Sequence, residues 1–162
     1  MFRIIRRTLS TSIVDVPARV SYLCKTLCLP PSAITSIAEK LPYVLTTPDT
    51  TLTPKLDYLN QALDISPSAL GKFILANPKI LGLSTTENVA PSLQAIKARL
   101  QLTTAQLSKV VTQAPRLLSL NTQGVLTKID YLQQRLDLTD NDLKVLLVGS
   151  PYILQVSPQA PH

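Results

Sequence analysis

Apolar residues recur along this chain in two alternating blocks, each with the spacing of one helix face. In the first block they fall at Val20/Leu23/Leu27, Leu56/Leu59/Leu63, Leu93/Ile96/Leu100 and Ile129/Leu132/Leu136. Separations of three, four and seven residues place each trio on a single stripe. In the second block they fall at Ile34/Ile37/Ala38, Leu70/Phe73/Ile74, Leu107/Val110/Val111 and Leu143/Leu146/Leu147, which predicts a second amphipathic helix. A proline closes each pair of blocks, at Pro42, Pro78, Pro115 and Pro151, with intervals of 36, 37 and 36 residues. Proline disfavours helical geometry in the residue before it, so each one ends the second helix. A short hydrophobic step follows: Pro42-Tyr-Val-Leu45, Pro78-Lys-Ile-Leu81, Pro115-Arg-Leu-Leu118 and Pro151-Tyr-Ile-Leu154.

Between the two helices, twelve residues before each proline, stand Pro30, Ser66, Thr103 and Thr139. Ser or Thr at that place accepts a bond from a free backbone N–H, and Pro31 and Pro67 suit the first helical position. Thr103 and Gln106 fit a capping box. The predicted unit is helix, turn, helix, proline break and short hydrophobic turn. A single helix pair cannot bury its own apolar stripes, so neighbouring units stack into a continuous core. The fold class is therefore all-α, an α-solenoid of about four helix-turn-helix repeats with a period of 36–37 residues that winds into a superhelix. The array is expected over residues 13–154, with a frayed tail at 155–162.

The order Pro-x-Leu-Leu, then Pro-Lys-Leu-x-Tyr-Leu, then an apolar helix closing on Pro resembles the mitochondrial transcription termination factor (mTERF) family. The residues carrying it are Pro42-Tyr-Val-Leu45 with Pro54-Lys-Leu-Asp-Tyr-Leu59, and Pro115-Arg-Leu-Leu118 with Thr127-Lys-Ile-Asp-Tyr-Leu132. Thr127 stands where the family's helix proline is expected. The resemblance implies a superhelical solenoid that binds organellar nucleic acid, usually duplex DNA, along a basic concave surface.

Composition narrows the rest. Residues 1–12 hold three arginines and several hydroxyls, with no acid before Asp15, which reads as an organelle targeting presequence. Mitochondria are the expected destination and chloroplasts the alternative. Without that segment the basic count falls from 16 to 13 against 10 acids, so the net charge falls from +6 to +3. Bulk charge is then only a weak argument for nucleic acid. No apolar run approaches the ~20 residues of a membrane span. Cys24 and Cys28 are expected to be buried, reduced thiols on one helix face. The one histidine is the C-terminal His162, and no nucleophile-base pair, phosphate-binding glycine loop or metal-ligand cluster is present. The expectation is a protein that is not an enzyme, with no cofactor, no metal and no small-molecule substrate.

Binding has better candidates. Counting back 23 residues from each proline gives Arg19, Lys55, Ser92 and Lys128, and counting back 16 gives Thr26, Ala62, Arg99 and Arg135. Stacked units would align Arg19, Lys55, Arg99, Lys128 and Arg135 as a ribbon in the first helices, interleaved with Tyr22, Tyr58 and Tyr131. Such cations neutralise phosphates and release counterions. The plainer reading is a solubilising edge whose Lys and Arg stems lie over the core. With Arg19, Lys55 and Lys128 in the first helical turn they would oppose the helix dipole, a cost that Asp57 and Asp130 partly offset. A second rank comprises Lys72 and Lys109 on the polar face of the second helix, and Lys79 and Arg116 directly after the proline. The leading functional expectation is a monomeric protein that occupies double-stranded DNA and regulates or terminates transcription. Four units at roughly 10 Å each would follow about one turn of duplex, and so short a track leaves room for a protein partner. RNA binding in intron splicing or ribosome assembly, or a protein-interaction scaffold, are the alternatives.

Overall fold

The computed structural model describes residues 16–155, and over them the chain is helical with no strand. Eight α-helices follow one another in pairs among these residues: α1 (Val16–Leu27), α2 (Pro31–Lys40), α3 (Asp49–Leu63), α4 (Pro67–Ala76), α5 (Ala90–Arg99), α6 (Thr104–Gln113), α7 (Thr122–Arg135) and α8 (Asp140–Gly149). Each pair ends in a 3-10 turn opened by the recurring proline: Pro42–Leu45, Pro78–Gly82, Pro115–Ser119 and Pro151–Gln155. The short hydrophobic step is this turn, and its apolar residues are buried at Val44, Leu45, Ile80, Leu81, Leu117, Leu118 and Leu154.

Helix pairs stack in order. First helices pack on first helices (α5 on α7), second helices on second helices (α2 on α4, α6 on α8), and each of α1 and α3 also meets the second helix of the next unit. The turn Pro78–Gly82 packs against Pro115–Ser119, which packs against Pro151–Gln155, so the turns form their own ladder along the array. One continuous apolar core runs through the units from Leu23 to Leu154. The segments expected as a presequence, at residues 1–12, and as a tail, beyond Gln155, lie outside the described residues. Gln155, assigned to the tail from sequence, belongs to the last 3-10 turn and donates to the Gln113 carbonyl at 3.0 Å.

The caps follow the sequence closely. Ser66 accepts from Ala69 N–H, and Thr103 with Gln106 forms a capping box. Thr139 with Asp142 forms a second box. Pro31 and Pro67 open their helices. Two features depart from the sequence reading. The first helices begin earlier than the Pro-Lys-Leu motif, at Pro48-capped Asp49 and at Asn121-capped Thr122, so Pro54 lies inside α3. At the equivalent Pro91 a π-helical turn, Thr85–Val89, precedes α5. The widened turn makes room where a proline ring would otherwise meet the carbonyl four residues back.

Each first helix also ends on a left-handed residue, Cys28, Asp64, Gln101 and Asp137, with φ of 51°, 48°, 49° and 50°. The next residue, Leu29, Ile65, Leu102 or Leu138, donates its N–H back to Cys24, Asn60, Lys97 or Gln133, the six-residue return of a Schellman motif. Cys28 is therefore past the helix end and exposed, and only Cys24 is partly covered; both are free thiols. Burial of the pair fails because this position must turn the chain and so faces out. Leu136 likewise departs from the expected core. It is 50% exposed where its counterparts Leu27, Leu63 and Leu100 are 1%, 0% and 3%, because among the described residues no further unit covers α7.

Candidate nucleic-acid interface

The five ribbon cations occupy two rows. Arg19, Lys55 and Lys128 sit beside the 3-10 turn of their own unit, while Arg99 and Arg135 end α5 and α7. Seven residues of helix separate the rows by roughly 10 Å. Lys55 and Lys128 are the seventh residues of α3 and α7, in the second turn rather than the first. The dipole penalty argued from sequence therefore does not apply to them.

What these side chains touch is the backbone of the turn. Lys55 Nζ donates to the Leu81 carbonyl at 2.6 Å, and Lys128 Nζ donates to the Leu154 carbonyl at 3.2 Å. Both acceptors lie three residues after the unit's proline, at the end of the 3-10 turn where the carbonyls lack helical partners. The cation satisfies an orphan acceptor and complements the negative end of the turn. Partial burial lowers the Lys55 pKa below that of an ordinary lysine. An ammonium has three N–H donors, so each lysine retains two beyond the carbonyl bond.

Arg19 and Arg99 are held more firmly. Arg19 pairs with Asp49, donates to the Thr47 carbonyl and lies over the Tyr22 ring at 4.9 Å. Its side chain is 11% exposed, and its Nε is buried without a partner. Arg99 pairs with Asp130 at 2.9 Å and Asp140 at 3.3 Å and donates to Gln133, tying the third unit to the fourth. The Gln133 amide, then Arg99, holds the Asp140 carboxyl below the usual carboxylate range. Ser92, which stands in the cation column of the third unit, is buried and shares a 3.1 Å hydrogen bond with Thr122 across to α7. Arg135 is exposed, and no described residue pairs with its side chain.

The interleaved tyrosines divide in the same way. Tyr22 bonds Thr53 of the next unit at 3.0 Å, Tyr58 packs half-buried against the core, which raises its pKa, and Tyr131 is 40% exposed. Of the second rank, Lys72 and Lys109 are exposed on α4 and α6, and Lys79 and Arg116 are exposed on the turn ladder. None of the four side chains has a partner among the described residues.

Two elements of this edge were not legible in the sequence. The lysine-to-carbonyl ties end on backbone oxygens, which carry no residue signature. Asn77, directly before Pro78, is buried and donates to the Pro115 carbonyl and Ser119 Oγ, both at 2.8 Å, pinning one turn to the next. An amide in a column otherwise filled by Leu41, Ala114 and Ser150 was the only available sign. Among the described residues no group of His, Cys, Asp or Glu could hold a metal ion, and no helix is long and apolar enough to cross a membrane.

Stacked helix pairs, each closed by a proline and a 3-10 turn, are the arrangement that the family resemblance implied. The mTERF family model matches residues 14–135 and 62–160, two overlapping spans that together cover nearly all of the chain. The chain belongs to the mTERF family. Membership implies an organellar factor that binds nucleic acid on a helical-repeat solenoid, in a family whose members are generally not enzymes. A comparison with curated proteins gives no match.

Proposed function

We propose that this mTERF protein acts in mitochondria, binding double-stranded DNA through its phosphate backbone in the regulation or termination of transcription. The carrying observation is the edge where first helices meet the turn ladder. Lys55 and Lys128 sit there with donors to spare, and Lys79 and Arg116 project unpaired from the stacked turns. Arg135, Lys72 and Lys109 extend the same unpaired set, whereas Arg19 and Arg99 serve mainly to join units. Residues 1–12, arginine-rich and acid-free, support import.

The test is a salt titration of binding to matched duplex DNA and duplex RNA. For the wild type, log K falls linearly with log salt. Each of Lys55→Ala, Lys79→Ala, Arg116→Ala and Lys128→Ala leaves one phosphate without its cation and should lower the slope by about one. Tighter binding to duplex RNA would move the reading to RNA metabolism. An unchanged slope in folded variants would replace it with a protein-interaction scaffold.

A further inference from the structure

The residue directly after each recurring proline forms a column of its own: Tyr43, Lys79, Arg116 and Tyr152. All four are exposed, with the tyrosines at 47% and 61%. Their neighbours at the next two positions are buried or half-buried, so within that hydrophobic step this residue faces outward. The ladder sets the four in order, since the second turn packs on the third and the third on the fourth. Tyr43 joins the first turn to the second. A Cβ on Gly82 would lie 1.8 Å from the Tyr43 hydroxyl, so the glycine leaves open the space into which this ring extends.

The turn segments themselves contain no acid. None of the 10 carboxylates falls between Leu41 and Pro48, between Asn77 and Thr86, between Ala114 and Ile129, or after Ser150. Two cations flanked by two exposed rings, on turns that contain no carboxylate, match the needs of a strand with uncovered bases. Phosphates meet Lys79 and Arg116, while a tyrosine ring offers its face only to a base not already stacked on both sides. Paired bases in a duplex have no such free face, and backbone contacts alone would not require exposed aromatics.

Resting on the nucleic-acid reading above, we propose that Tyr43, Lys79, Arg116 and Tyr152 form a site for a single-stranded segment of nucleic acid, with phosphates on the two central cations and bases stacked on the two tyrosines. Three intervals of roughly 8–10 Å between stacked helical layers separate the rings by about 25–30 Å, a length in keeping with the roughly 4–16 nucleotides that single-strand sites cover. The site shares Lys79 and Arg116 with the duplex reading and differs from it in the two tyrosines, which meet base faces.

The experiment measures fluorescence anisotropy of the full chain with single-stranded RNA, single-stranded DNA and matched duplexes of about ten nucleotides, together with quenching of tyrosine emission. The Tyr43→Ala/Tyr152→Ala variant is expected to lose at least about tenfold in single-strand affinity and most of the quenching, with duplex affinity retained. Tyr43→Phe/Tyr152→Phe, which keeps the rings, should restore single-strand affinity, and a thermal melt verifies that each variant is folded. The RNA and DNA arms identify which strand the site prefers. Duplex binding without single-strand binding in the wild type, or an equal loss on both substrates in the alanine variant, would overturn the site while leaving the family function standing. Absence of binding to any nucleic acid would overturn both.

Discussion

At the scale of single residues, the same side-chain type performs opposite tasks according to what lies within reach. Arg99 and Arg135 occupy equivalent places, yet the first is locked between Asp130, Gln133 and Asp140 while the second is exposed. Sequence columns identified both as cations on one stripe. They could not show that Asp130 and Asp140 approach the first from a unit about thirty to forty residues on. The pH dependence of that tie has a definite sign. The Asp140 pKa is lowered from its ordinary 3.8, so the stabilisation is complete above the unfolded value and is lost as pH falls through the folded one. The urea midpoint of wild type should exceed that of Asp140→Asn near neutrality, and the difference should begin to shrink as pH drops below about 4 and vanish below the lowered folded-state value. A second residue-scale prediction concerns Gly71, where an added Cβ would lie 1.9 Å from the Leu27 carbonyl oxygen. Gly71→Ala must push α4 from the end of α1, and its denaturant midpoint should report a loss of about 1–3 kcal/mol. Gly149→Ala meets nothing within 4 Å and serves as the control, expected to be neutral or to gain up to about 1 kcal/mol.

Among elements, second helices were fully readable and first helices only in part. A second helix carries its own start and stop, as in Thr139 with Asp142 at one end and Pro151 at the other. Replacing Thr139 by Ala removes the acceptor for the Asp142 N–H and should cost about 1 kcal/mol in the urea midpoint. The placing of Lys55 in a first turn falls short of the true helix start because proline suits the opening of a helix and the segment before Pro54, Asp49–Thr53, is rich in threonine, a weak helix former. Packing of Leu52, which is 2% exposed, extends α3 through that weak stretch. The Schellman ends were likewise hidden. Of Cys28, Asp64, Gln101 and Asp137 only the two aspartates have a side chain in common, and what repeats at all four is a backbone angle followed by an apolar residue that enters the core.

Over the whole molecule, stability is shared between neighbouring units, so the same leucine counts differently along the array. Leu59→Ala, at 0% exposure between units, should cost about 2–5 kcal/mol by thermal or urea unfolding. Leu136→Ala, at 50% exposure on the last unit, should change stability by no more than ~0.5 kcal/mol. The sequence by itself determined the number of units, their two-helix grammar, the proline stops and most of the core, since each depends on neighbours within about thirty residues and repeats four times in register. Tertiary structure alone decided which cations are free. That choice depends on carbonyls at the ends of 3-10 turns and on carboxylates from the following unit, partners whose positions are fixed only once the units stack. It also leaves Lys79 and Arg116 on the turns, rather than Arg19 and Arg99 on the first helices, without a side-chain partner among the described residues.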